Sequence, residues 1–239
     1  KCGGSVLIDP NLFNLFISDI TIMKKLGLTP TIVHGGGKRI NNKLKELNIE
    51  STFIKGLRVT NKDTISVVEN VLIDFNKEIV NALKDKSCNA KSITTKENNI
   101  ISVKHEIEEL GYVGEPAEIN VNILDRIIKN KLIPVIAPMG QKNNQTFNIN
   151  ADTAAGAIAK KLKSRRLLLM TDIEGVMNGN NKLISEITPN LATKMIDEEI
   201  IKGGMLPKIN TCIDAVNNGV RGVVIIDGRK PHSILFELF

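Results

Sequence analysis

Two lysines, an aspartate and two glycine loops carry most of the chemistry legible in this 239-residue chain. Lys1-Cys2-Gly3-Gly4-Ser5 sets a lysine at a strand end, with glycines in the turn that follows. Backbone without Cβ atoms lets N–H groups approach an anion closely, although an ordinary tight turn would have the same composition. The spacing is not that of a Walker A loop, G-x-x-x-x-G-K-[ST]. His34-Gly35-Gly36-Gly37-Lys38 repeats the arrangement after a second strand. Three consecutive glycines cost backbone entropy, and amide donors needed around developing charge would justify that cost. His34 itself reads as structural, packed or hydrogen-bonded beneath the loop. Neither loop is G-x-G-x-x-G, and the acidic residue expected about 20 positions later to hold a ribose is missing, since Glu50 lies in a polar turn. A dinucleotide-dependent oxidoreductase is therefore disfavoured.

Further along, Gly56-Leu57-Arg58-Val59-Thr60 offers one guanidinium fork for a carboxylate or phosphate, or a surface ion pair. Asn148, Asn150 and Asp152 alternate, so an extended backbone would point them the same way into a helix of small residues, Ala154 to Ala157. An N-cap role would explain Asp152 but not the two asparagines. Thr171, Asp172 and Ile173 follow an apolar run, at the kind of strand end where open α/β sheets bind ligands. Lys208 stands near a helix start after Gly203-Gly204, where a cation opposes the dipole and needs an anion beside it.

The elements that position these residues alternate. Apolar runs at 31–33, 133–137, 167–170 and 223–226 lack polar alternation and suit strands buried on both faces of a parallel sheet. Helical stripes lie between them: Leu12, Phe16, Met23 and Leu26; Ile40, Leu44 and Leu47; Leu124, Ile127 and Ile128; Ala155, Ile158 and Leu162; Ile209, Ile213 and Val216. The longest comprises Ile65, Val68, Leu72, Phe75, Ile79 and Leu83, from an N-cap at Asn61 to Lys86; it is long for a helix covering one face of a sheet, so a two-fold contact between subunits is expected, with plain core packing as the alternative. The pattern predicts a three-layer αβα sandwich with a largely parallel central sheet. Residues 87–117 break the rhythm and read as a β-hairpin excursion beside the site. A soft boundary divides an N-terminal lobe, about 1–145, from a C-terminal lobe, about 146–239. Both ends are expected to continue in a longer chain.

Composition narrows the partners. The net charge of +6 suggests an anionic ligand, but one Tyr, no Trp and seven Phe leave few stacking platforms for nucleic acid. The basic run at 160–166 suits a helix end complementing its own dipole. No run of about 18 apolar residues would cross a membrane. Three scattered cysteines without a C-x-x-C pair speak against a disulfide scaffold or zinc site and for a reducing compartment.

Taken together, in this order, the motifs resemble the amino acid kinase superfamily, and within it the N-acetylglutamate kinases, over essentially the whole chain. The resemblance implies ATP-dependent phosphorylation of the γ-carboxylate of N-acetyl-L-glutamate, with Mg²⁺ carried by ATP phosphates. Lys1 and Lys208 would bridge the transferring phosphoryl group, and Asp152 would orient both. Gly36 and Gly37 would hold phosphoryl and substrate, Arg58, Asn148 and Asn150 the substrate. Gly3, Gly4, Thr171, Asp172 and Ile173 would face the nucleotide. Cys2 departs from the bulkier residue of many relatives, without expected consequence. Family resemblance further implies a homodimer, or a hexamer built as a trimer of dimers, in the cytoplasm or a plastid stroma. It also implies L-arginine as inhibitor at Lys202, His232 and Glu237, and a PII-type signal protein as partner. Other enzymes of the fold (aspartokinase, glutamate 5-kinase, carbamate kinase, UMP kinase) and a catalytically silent sensing module are the alternatives.

Overall fold

The computed structural model describes residues 1–4, 6–105 and 108–239. Its strands are β1 (Ile32–Val33), β2 (Phe53–Ile54), β3 (Leu57–Arg58), β4 (Ala90–Ile93), β5 (Ile101–His105), β6 (Gly114–Ile119), β7 (Ile133–Ile136), β8 (Met139–Lys142), β9 (Gln145–Asn148), β10 (Leu167–Thr171) and β11 (Val223–Asp227). Its α-helices are α1 (Pro10–Lys25), α2 (Gly37–Glu46), α3 (Lys62–Asp85), α4 (Val121–Lys129), α5 (Ala151–Lys161), α6 (Pro189–Asp197), α7 (Met205–Asn217) and α8 (Ser233–Leu238).

A parallel sheet runs through the centre. β1, β7 and β4 form one part and β10 with β11 the other. Residues 1–3 join the two, because Cys2 makes parallel bridges to His34 on one side and Met170 on the other. The order is thus β4, β7, β1, residues 1–3, β10, β11, and it sets Lys1 in the middle of the molecule.

Period-2 alternation divides the apolar side chains between two faces. Ile32, Val135, Met170 and Ile226 pack with Phe16, Ile20, Phe75, Ile79 and Ile234, under α1, α3 and α8. Their neighbours Val33, Ile136 and Leu169 pack with Leu124, Ala155, Ile158 and Ala215, under α4, α5 and α7. Three layers follow directly, as the apolar runs predict.

Two expectations change. Within residues 87–117, a hairpin is present, β5 pairing antiparallel with β6. However, Ala90–Ile93 of the same stretch is a strand of the central sheet, paired with β7. The hairpin extends into a second sheet ordered β6, β5, β8, β9. The long stripe on α3 is also not free for a subunit contact: Ile65, Val68, Leu72, Phe75, Ile79 and Leu83 are all buried within the chain. A 24-residue helix is long enough to cover strands along its whole apolar face, and α3 packs on β4, β7 and β9. Asn61 caps it as expected, its Oδ1 accepting from the Asp63 and Thr64 amides.

Phe75 is 1% exposed. Phe75→Ala should therefore cost about 3–5 kcal/mol in a denaturant titration, the scale of a large cavity in a core. A loss below about 1 kcal/mol would return the stripe to the surface.

Candidate active site

Three buried charges sit where the two halves of the sheet meet. Asp152, in the first turn of α5, accepts a hydrogen bond from Lys208 Nζ at Oδ2, 2.8 Å away. Its Oδ1 faces Lys1 Nζ at 3.0 Å, a charge contact outside hydrogen-bond alignment. All three side chains are about nine-tenths covered. Burial pushes the Asp152 carboxyl up, but the two ammonium groups outweigh it and hold the carboxyl below its usual range. Burial, and then repulsion from Lys1, lowers the Lys208 ammonium, while Asp152 opposes that shift. Two cations against one anion leave the cluster with a net charge of +1.

Helix packing makes this possible. Gly156 lies one turn after Asp152, and Thr211 lies three residues after Lys208. A Cβ at Gly156 would stand 2.6 Å from Thr211 Cγ2, so only glycine lets α5 and α7 close far enough. The small residues of α5 therefore serve helix contact.

The two glycine loops press against each other in front of the cluster. A Cβ at Gly4 would lie 3.0 Å from the Gly36 nitrogen and 3.2 Å from that of Gly37, and one at Gly35 would lie 2.9 Å from the Gly4 nitrogen. Among the described residues, the amides of Gly4, Gly36 and Gly37 find no acceptor within the chain. Together with the N-termini of α2 and α5, they present positive potential to a pocket of about 280 Å³.

That pocket brings together Lys1, Gly3, Gly4, Gly36, Gly37, Arg58, Asn148, Asn150, Asp152, Thr171 and Asp172. Lys208 joins them through Asp152. Arg58 is buried rather than a surface partner: Nη1 donates to Ser51 Oγ, Nη2 to Gly37 O at 3.3 Å, and the guanidinium lies 4.7 Å from the centre of the Phe53 ring. Asn148 Nδ2 donates to Thr60 Oγ1 at 3.4 Å. Asn150, and not Asp152, is the N-cap of α5. Its Oδ1 accepts from the Asp152 and Thr153 amides, which frees the Asp152 carboxylate for the lysines. Cys2 turns away, Sγ 3.2 Å from Met170 Sδ, and burial pushes its thiol up to about 12.

Ile173 follows the pocket rim and is 40% exposed. Lys202 is exposed in the turn ahead of α7. His232, just before α8, and Glu237, on it, lie away from the pocket, His232 against Asp19 at 2.6 Å and Glu237 paired with Arg166 at 3.2 Å. Ser51, Phe53, Leu72 and Pro138 were not anticipated. Phe53 had a signal, an aromatic five residues before Arg58 in a chain with few aromatics.

The model of the amino acid kinase family matches residues 1–227. The chain is 62% identical over all 239 residues to the acetylglutamate kinase of Pelagibacter ubique, covering 83% of that protein. It is 44% identical to that of Caldicellulosiruptor saccharolyticus, covering 100% of this chain and 85% of the relative. The chain belongs to the acetylglutamate kinases of the amino acid kinase family. The solved structure of smu.665 from Streptococcus mutans superposes with a TM-score of 0.87 at 31% identity, over 95% of this chain and 93% of the other. Carbamate kinase from Giardia lamblia shares the fold alone, with a TM-score of 0.70 at 16% identity, over 94% of this chain and 86% of the other.

The pKa directions set a pH window. A lowered ammonium pKa means that Lys208 loses its charge, as pH rises, earlier than an ordinary lysine at 10.5. The lowered carboxyl keeps Asp152 charged as pH falls, down to values below its ordinary 3.8. The alkaline limb of kcat should therefore have its midpoint below 10.5, and Asp152→Asn should move it lower still. A midpoint at or above the ordinary lysine value would separate Lys208 from turnover.

Proposed function

We propose that the protein transfers the γ-phosphoryl group of ATP to the γ-carboxylate of N-acetyl-L-glutamate, giving N-acetyl-L-glutamyl 5-phosphate, the second step of arginine biosynthesis. The observation that carries this is the Lys1–Asp152–Lys208 cluster facing unpaired glycine amides across one pocket. A carboxylate is already an ionised nucleophile, so the reaction needs no general base. What it needs is in-line positioning and neutralisation of charge on the phosphoryl oxygens. Lys1 and Lys208 supply the charge, with Asp152 holding them apart and oriented. The amides of Gly4, Gly36 and Gly37 supply directed donors, which cost no reorganisation when charge develops. Arg58, buried and fixed by Ser51 and Gly37, offers its fork to the substrate carboxylate, beside Asn148 and the amide group of Asn150. Gly3, Thr171, Asp172 and Ile173 line the nucleotide side.

Mg²⁺ fits this site as an ion carried by ATP phosphates, where it neutralises phosphate charge. Both Asp152 oxygens already face ammonium groups. Among the described residues no group of three His, Cys, Asp or Glu is gathered to hold a metal.

In this reading one catalytic domain has two lobes, about 1–145 for the substrate and 146–239 for the nucleotide. The pocket draws residues from both, and one apolar cluster, around Val176, Met195 and Ile209, belongs wholly to the second. Family resemblance extends the reading to a cytoplasmic homodimer able to form a hexamer of three dimers, a PII-type partner, and L-arginine as inhibitor at Lys202, His232 and Glu237. Arginine bound at Glu237 would compete with Arg166 for its Oε1. Turnover indifferent to millimolar L-arginine would remove that extension.

A coupled assay should show ADP release that depends on N-acetyl-L-glutamate. Lys208→Ala should fold and lower kcat by roughly 10²–10³, the scale of one lost electrostatic donor. ADP release without dependence on N-acetyl-L-glutamate would overturn the substrate assignment, and a near-normal kcat in Lys208→Ala would remove that lysine from the chemistry.

A further inference from the structure

The glycine loop at 35–37 has a support that neither its own residues nor the lysine cluster explains. His34 is fully buried, and its ring meets two polar neighbours. Nδ1 lies 3.1 Å from Gly35 O, and Nε2 lies 3.1 Å from Nδ2 of Asn76 on α3. The other Asn76 N–H donates to Val135 O at 2.9 Å. Only one proton arrangement satisfies all three contacts. A carbonyl can only accept, so Nδ1 carries the proton and Nε2 receives one from the amide. Reversing the amide would set its oxygen against the Val135 carbonyl at that same short distance. Asn76 Oδ1 is left buried without a partner among the described residues, a feature that folding alone does not favour. The ring is also steadied edge-on by Phe75, centroids 5.1 Å apart, and Phe75 in turn lies under the Arg39 guanidinium. Burial lowers the imidazole to about 4, with the neighbouring Arg39 charge acting in the same direction, so it is neutral at ordinary pH.

We infer that Asn76 and His34 are positioning residues: Asn76 fixes the tautomer of His34, and His34 fixes the Gly35 carbonyl so that the Gly36 N–H is aimed into the phosphoryl site. The step from carbonyl to amide is geometric. The Gly35–Gly36 peptide is trans and planar, so its C=O and N–H point in opposite directions. Tying the oxygen to the ring beneath the loop turns the N–H outward, beside Gly4 and into the pocket. A loop of three glycines has little intrinsic preference for this peptide orientation, so an external anchor is needed to hold it. The donor is then ready before charge develops, which is where such donors act. This rests on the phosphoryl-transfer reading above.

Three variants and one spectrum test it. His34→Val removes the donor to Gly35, His34→Asn restores an N–H at the place of Nδ1, and Asn76→Leu releases the ring. In folded protein, His34→Val and Asn76→Leu should each lower kcat at least tenfold, with KM for ATP and N-acetyl-L-glutamate changed less than threefold. His34→Asn should recover most of the loss. Imidazole ¹⁵N NMR of the unsubstituted protein should show the Nδ1–H tautomer, and Asn76→Leu should show a mixture of tautomers. Folded His34→Val with undiminished kcat, equal losses in His34→Asn and His34→Val, or an Nε2–H tautomer would each overturn the inference. The NMR measurement needs no turnover, so it tests the anchor even if the protein fails to phosphorylate N-acetyl-L-glutamate. It also remains available if a variant does not fold.

Discussion

A single buried carboxylate between two ammonium groups is the constraint on which the rest of this structure depends. Moving three charges out of water is costly, and their mutual attraction offsets the cost only when the geometry is good. Asp152 meets that condition because both its oxygens face a lysine, 3.0 and 2.8 Å away. The remaining excess of one positive charge is neutralised by no other group among the three. Under the proposed phosphoryl transfer, the negatively charged group in transit would complete that balance.

The fold serves this cluster at every level. Residues 1–3 run between β1 and β10, which carries Lys1 to the sheet centre. Asn150 takes over the capping of α5, which would otherwise compete for the Asp152 oxygens. Gly156 lets α7 approach until Lys208 reaches across. The glycine loops then close the opposite wall, too tightly packed on each other to admit a side chain at Gly4 or Gly35. Positive potential comes from lysines on one side and from amides and helix ends on the other, so an anion between them is held from both directions.

Much of this was legible in the order of residues. Buried strands betray themselves by unbroken apolar runs, and α3 by its period and its Asn61 cap. The chemical residues stood out because a glycine triplet, a lysine near a helix start and an Asn-x-Asn-x-Asp run are poorly explained by folding needs. Other features were hidden for physical reasons. Strand β4, Ala-Lys-Ser-Ile, lies at the edge of the central sheet, and its two adjacent polar residues let it pass for part of a surface hairpin. The covering of the α3 stripe is not legible, because periodicity says which face is apolar, not what covers it. The division of labour between Asn150 and Asp152 depends on a two-residue difference in helix start, which composition does not encode. Asn76 lies beside Phe75 in an apolar stripe, and nothing in the pattern reveals that its amide meets a histidine 42 positions away.

The central claim is that Asp152 acts through the lysines, and a double-mutant cycle on kcat tests it most directly. Asp152→Asn, Lys208→Ala and the double substitution would be compared at saturating ATP and N-acetyl-L-glutamate. Groups that act as one unit are strongly non-additive, so the double variant should lose little more than the worse of the two single variants. A loss in the double variant equal to the product of the two single losses would mean that Asp152 and Lys208 contribute independently, and would contradict the account.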